Sequence, residues 1–432
     1  MLVSTSFSAL AHHQANTLGM PALPIVVLPH PLGGTLLDTV LTKVDAVFDE
    51  IIHKLTSPLI LKAQQTPKIS GKRVDIHCSD EWTDLQHELI QRGWGDGLPL
   101  VPPTEARVVA MVHGSGSTAN DIVAVIAPRM GVATVELIAT NAVMAGCKPQ
   151  HMPLLMAAVQ AMTEPQFNLY GCQATTHCVS PLLIVNGPLA NTLNIHSGSG
   201  CFGPGPWDNG VVGRAIRLIL INIGGAAPGE IDKATMGHPG KFSYCIAENE
   251  ANSPWPSLSE QRGFAKGIST VTVVGGEAPH NINEHEATTS GGLLTTICGS
   301  MAQTGQNNVY YHGEPLLVLS PEHAATIAND GLTKEEVQRM IYDDARIPIT
   351  RFGRETIERR LYRRLGYRYK NRHITPDTLV SIAQRWEDVM IIVAGGAGKH
   401  SMYVPTFGAT RSVTRAILKK DGSPWQPKDF AK

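Results

Sequence analysis

The sequence has no apolar run approaching the ~20 residues that a membrane-spanning helix requires, which excludes a transmembrane bundle. It has no excess of one charge: 36 Lys and Arg stand against 37 Asp and Glu, for a net charge of -1. Nucleic-acid and membrane-surface binders need a basic excess, so neither partner is expected. Charge of either sign is missing before Asp38. The basic start of a secretory signal and the arginines of a mitochondrial presequence are therefore both lacking. Cysteine pairing is lacking too. The seven thiols, at Cys78, Cys147, Cys172, Cys178, Cys201, Cys245 and Cys298, are odd in number and widely spaced. They read as reduced cysteines of a cytoplasmic protein rather than as a disulfide framework. There is no HExxH motif, and no internal repeat or low-complexity tract is read.

What is present is a chain of 432 residues with 43% hydrophobic and 17% charged residues, ample for burial. That length exceeds one ordinary core and favours two subdomains. Residues 1–22 read as a loose leader, Pro24–Leu28 as a strand and Leu36–Leu55 as a helix, making an N-terminal appendage over 1–75. Residues 24–55 are expected to dock on the main body or on a second subunit. A first α/β subdomain is placed at 76–260 and a second at 261–432. Residues 122–126 and 389–393 predict buried strands, and 181–185, 244–247, 270–274 and 316–319 predict further strands. Helical spacing appears at 80–92, 133–145, 152–162, 211–223, 292–303 and 333–344, with Thr333 and Glu336 forming a capping box. This alternation predicts an α/β fold, a layered mixed sheet with helices on both faces. Helix 211–223 is apolar on nearly every face and should lie in the core.

Chemistry concentrates in glycine-rich loops. Gly171–Cys178 places two thiols, an imidazole and the hydroxyls of Thr175 and Thr176 just ahead of a strand. His177 can serve as an acid/base or, with Cys172 and Cys178, as a soft metal ligand. Neighbouring His and Cys on an extended strand would point apart, which makes joint ligation by His177 and Cys178 awkward. Cys147 sits in a Gly-Cys-Lys-Pro turn. If it opens the following helix, the amide dipoles and Lys148 would favour its thiolate. The loop with Ser197, Gly198, Gly203 and Gly205, followed by Asn209 and Arg214, reads as a cradle for an anionic group. Asn186 ends a strand at an Asn-Gly-Pro turn. Cys298 falls on a helix interior. Residues 395–401 follow a strand but are not a P-loop, since the position needing glycine is Val393. His238, His280 and His285 lie in loops with Glu248, Glu250, Glu284 and Glu286, ligand types suited to borderline metals. Nine basic residues against two Glu in 351–372 read as a solvated helix face.

Taken in order, GWGDGLPLVPPT, NAVMAGCKP, GCQATTH, NGP, GRAIRL, GHPGKF and SPEHAATIANDG resemble a group of large proteins associated with small UGSC-type proteins. The latter carry a Cys- or selenoCys-Gly-Ser-Cys motif. The resemblance spans roughly 80–410. It implies thiol or selenol redox chemistry and a small redox protein as partner. It carries over Cys147 and His177 as candidates. Cys298-Gly299-Ser300 departs from the motif, because Met301 stands where the second cysteine belongs.

The expectation is an enzyme, of oxidoreductase type, acting on a small anionic or thiol-bearing metabolite. Cys147 would be the thiolate, His177 the acid/base, and the 197–205 loop with Arg214 the anion site. A metal-dependent lyase or hydratase using His177 with His238 or His285 is the first alternative. A non-catalytic partner-binding subunit is the second. A homo-oligomer fits either. No cofactor motif is identified.

Overall fold

The computed structural model describes residues 1–57, 81–361 and 374–430. Its strands are β1 (Leu2–Ser4), β2 (Val26–Leu28), β3 (Ile122–Ile126), β4 (Gly131–Thr134), β5 (Ser180–Asn186), β6 (Cys245–Ala247) and β7 (Thr270–Gly276). They continue as β8 (His280–Asn283), β9 (Leu316–Leu319), β10 (Arg346–Pro348), β11 (Leu379–Ser381), β12 (Met390–Val393), β13 (His400–Val404) and β14 (Val413–Ala416).

Two four-stranded mixed sheets form the centre, in the orders β14-β7-β5-β6 and β12-β9-β13-β8. Alternation along β5 shows how they pack. Leu182 and Ile184 face the second sheet, meeting Leu316, Val318, Met390 and Ile392. Leu183 and Val185 face the opposite way, into helices Val135–Ala145, Met152–Met162 and Trp207–Asn222. On the second sheet, Leu317, Leu319, Ile391 and Val393 face helices Ser290–Met301, Pro321–Asn329 and Lys334–Asp344. The α/β expectation holds, and the layers run helix, sheet, sheet, helix. With helices on one face and the second sheet on the other, β5 is buried along its whole length. Full burial of each such aliphatic side chain contributes about 1.5–3 kcal/mol.

The two sheets share one topology. β5 pairs parallel with β6 and antiparallel with β7. Likewise β9 pairs parallel with β12 and antiparallel with β13. The fourth strand of each is exchanged. β8, which follows β7, joins the second sheet, while β14, which follows β13, joins the first. Where these exchanges meet, Gly276 bridges Thr406 in antiparallel fashion. A repeat therefore exists where none was read. Its trace is Pro181-Leu-Leu-Ile-Val against Pro315-Leu-Leu-Val-Leu, and Gln166-Phe-Asn-Leu-Tyr against Gln306-Asn-Asn-Val-Tyr.

The supposed leader is ordered structure: β1 pairs parallel with β2, and Ser8–Thr17 is a helix. Ala11, Ala15 and Ile25 form a small cluster separate from those of the body. The helix expected over 36–55 is two helices, Leu37–Asp45 and Phe48–Thr56, neither with a buried residue. Helix Trp207–Asn222 is buried as expected. The basic stretch is helical through Leu361, and the rest of it lies outside the described residues, as does Cys78. No helix among the described residues is long and apolar enough to cross a membrane.

Candidate metal centre at the strand crossing

His177 lies in a bend and Cys178 in the irregular residues ahead of β5, not in extended strand. Their ligand atoms converge, which removes the objection to joint ligation. The third group comes from the crossing. Glu277 directly follows β7, and its backbone N–H donates to the Pro405 carbonyl at 2.8 Å. Its own carbonyl accepts the Tyr244 hydroxyl at 2.9 Å. One ligand atom each from His177, Cys178 and Glu277 lie within 4.8 Å of one another.

The imidazole is oriented from both sides. Its Nδ1 accepts the Val179 N–H at 3.2 Å, so Nε2 carries the proton and donates to Glu277 Oε1 at 2.8 Å. Asn307 N–H donates to the same oxygen at 3.2 Å. Thr175 Oγ1 accepts the His177 N–H, and the Phe407 ring stacks on the imidazole with centroids 5.0 Å apart. The Thr176 carbonyl accepts the Thr235 N–H at 2.9 Å. Burial, and then the Glu277 carboxylate, push the Cys178 thiol up, with a small opposing pull from Lys241. His238 adjoins the group. Its Nδ1 accepts the Gly240 N–H, its Nε2 is buried without a hydrogen-bond partner, and burial and Lys241 lower its pKa.

Cys172 is not part of this centre; its thiol donates to the Phe167 carbonyl inside the core. Glu277 takes the place expected of it. Sequence reasoning missed Glu277 because its ligating position arises from the strand exchange, and a lone Glu after Gly-Gly carries no spacing signal.

Cys147 and Lys148 have other surroundings. Cys147 follows the left-handed Gly146 that ends helix Val135–Ala145, so it sits at a carbonyl end and not at an amide end. Its thiol donates to the Val211 carbonyl, and burial, then Cys245 and Asp208, push it far above the ordinary thiol range. The expected thiolate is thus opposed by its setting. Lys148 pairs with Asp208 at 3.0 Å. Arg214 makes two bonds to Asp96 and one to the Leu98 carbonyl, so its charge is already neutralised. Asn209 grips both the N–H and the carbonyl of His196. It thereby holds the loop in which Ser197 accepts the Gly395 N–H and Gly198 packs on the His196 ring. Gly203 has only the Gly200 carbonyl nearby, and Gly205, at φ +120, has open space. Asn186 lies at the far end of β5 from His177, bonded to Glu248 and Glu250. The proposed site residues therefore fall into three places: Thr175, Thr176 and His177 at the crossing; Cys147, Lys148, the 197–205 loop residues, Asn209 and Arg214 around the start of helix Trp207–Asn222; and Asn186 alone.

Residues 1–57 match the UGSC family. No curated protein and no solved structure matches the chain. The matched segment holds no cysteine, and the motifs quoted over 80–410 lie outside it.

Proposed function

We propose that the chain is a metal-dependent enzyme of lyase or hydratase type, with His177, Cys178 and Glu277 as the ligands of a borderline divalent cation such as zinc. The convergence of an imidazole, a thiol and a carboxylate within 4.8 Å carries this reading. Three protein ligands with a further position left for water or substrate is the pattern of catalytic zinc sites. The donor chemistry fits. The carboxylate that opposes a free Cys178 thiolate would share a cation with it. When bound, such an ion supplies Lewis acidity and lowers the pKa of bound water. Asn307 and Phe407 hold the ligands in place, the outer support that metal sites need. His238 is the neighbouring group for proton transfer.

Burial raises all six described thiols, Cys147, Cys172, Cys178, Cys201, Cys245 and Cys298. A free cysteine nucleophile needs the opposite shift. Thiol-dependent chemistry, as the UGSC resemblance implies, is the second reading, and it moves from Cys147 to Cys178, which lies beside the His177–Glu277 pair.

Metal content and zinc titration of the full chain test the proposal. Cys178→Ser or Glu277→Gln should each bind one equivalent fewer than the wild-type chain. Zinc binding unchanged in both variants would overturn the metal reading. Activity that survives chelation but not Cys178→Ser would favour the thiol reading.

A further inference from the structure

A second pair of imidazoles meets at the edge of the other sheet. β8 is its edge strand, and His400, the first residue of β13, pairs in register with Asn283 at the end of β8. His285 follows two residues later. Its Nε2 lies 3.2 Å from His400 Nε2, and the rings stand at 80° with centroids 4.9 Å apart. Both residues are exposed.

The surrounding contacts fix the pair in this arrangement. His400 Nδ1–H donates to Asn281 Oδ1 at 3.1 Å, which leaves the Nε2 lone pair of His400 directed at His285. A second-layer acceptor of this kind sets tautomer and ring orientation in metal-binding histidines. The turn carrying His285 is braced as well. The Glu284 carboxylate accepts the N–H groups of Glu286 and Ala287 and the Thr296 hydroxyl. The Glu284 carbonyl accepts His323 Nε2–H, and the His285 carbonyl accepts the Lys399 ammonium at 2.8 Å. Lys399 opposes a cation here, while Glu286 on the same turn and Glu322, which holds the Gly398 N–H, favour one.

We propose that His285 and His400 form a two-imidazole site for a borderline divalent cation of the copper, nickel and zinc class. Two neutral imidazoles whose Nε2 atoms converge are the ligand set these ions prefer. The proton that His285 Nε2 holds toward His400 moves to His285 Nδ1 when the cation takes its place, so both rings bind as neutral imidazoles. The site is independent of the His177 centre.

Nickel titration of the full chain tests this, in wild type and in a His177→Asn, Cys178→Ser background that silences the first centre. One equivalent should remain in the silenced chain. His285→Asn or His400→Asn should weaken it by at least about tenfold, and Asn281→Leu by less. In wild type the same substitutions should remove one equivalent and spare the other. Because both histidines are exposed, these variants should keep the circular dichroism of the parent. Absence of nickel binding in both chains, or binding that survives both histidine substitutions, would overturn the proposal.

Discussion

His177 Nε2 and Glu277 Oε1 meet at 2.8 Å although 100 positions separate them, and they meet where the two halves of the fold exchange strands. The proton on Nε2 is fixed there because Nδ1 accepts from Val179.

A cation at this centre takes the place of that proton, which moves to Nδ1 as the Val179 N–H gives way, and displaces the one on Cys178. Zinc binding near neutral pH should therefore release about one proton, since histidine binds metal as the neutral imidazole and cysteine as the thiolate. Calorimetry in buffers of different ionisation enthalpy measures the number. Cys178→Ser should lower it by about one in any residual binding. Binding without proton release would place the metal elsewhere.

Cys147 should prove inert. Its thiol is raised by its surroundings and bonded to the Val211 carbonyl, a bond that serine can also make. Cys147→Ser should cost about 1 kcal/mol or less, the scale of one hydrogen bond, and leave turnover intact. Timed alkylation with peptide mapping should label Cys178 ahead of Cys147, whose thiol is the more strongly raised. Lost turnover in a folded Cys147→Ser chain would restore the thiolate reading.

The strands were legible because β5, β9 and β12 carry short apolar runs, the pattern of strands buried on both faces, and β7 alternates Thr with Val. β8 and β13 were not. His280-Asn-Ile-Asn and His400-Ser-Met-Tyr-Val put polar residues on an edge and take their register from each other. The repeat hid because ten residues, 171–180, separate its Gln-to-Tyr and Pro-Leu-Leu blocks in the first copy against four, 311–314, in the second, and the longer segment carries His177. Composition cannot report that Glu277 faces His177, since strand exchange alone brings them together. Cys147 misled because Gly-Cys-Lys-Pro fits a helix start as well as a helix end, and Gly146 in the left-handed region decides for the end.

Asp232 should govern part of the acid stability. Burial opposes its ionisation, but Lys241 and Arg217 outweigh burial and hold its pKa below the ordinary value. A depressed carboxylate stabilises the fold above its unfolded pKa of about 3.9, and that stability is lost as pH falls through the folded value. Asp232→Asn should remove this acid dependence. It should also cost about 3–5 kcal/mol at neutral pH, because Arg217 and Lys241 keep buried charges without their partner. Denaturant melts between pH 7 and pH 3 provide the check, and parallel stability curves for the two chains would contradict it.

The repeat supplies its own control for the crossing. Asn168 and Asn308 occupy equivalent places, and both reach the segment between β13 and β14. Asn308 is fully buried; its Nδ2 donates to Thr406 Oγ1 and its Oδ1 accepts the Thr406 N–H, both at 2.7 Å. Asn168 donates to the Ala409 carbonyl at 3.1 Å in a more exposed setting. Asn308→Ala strands two buried groups of Thr406, each worth about 1–3 kcal/mol when left unpaired. It also loosens the neighbouring Asn307 N–H, which steadies Glu277. Zinc affinity should then fall about 10–100-fold although Asn308 touches no ligand, as loss of outer support does in metal sites. Asn168→Ala should cost less stability and leave affinity nearly unchanged. Thermal melts and zinc competition on the two variants separate the effects. Equal affinity losses at both positions would mean that the centre senses global stability, and unchanged affinity in Asn308→Ala would mean that the crossing does not hold Glu277.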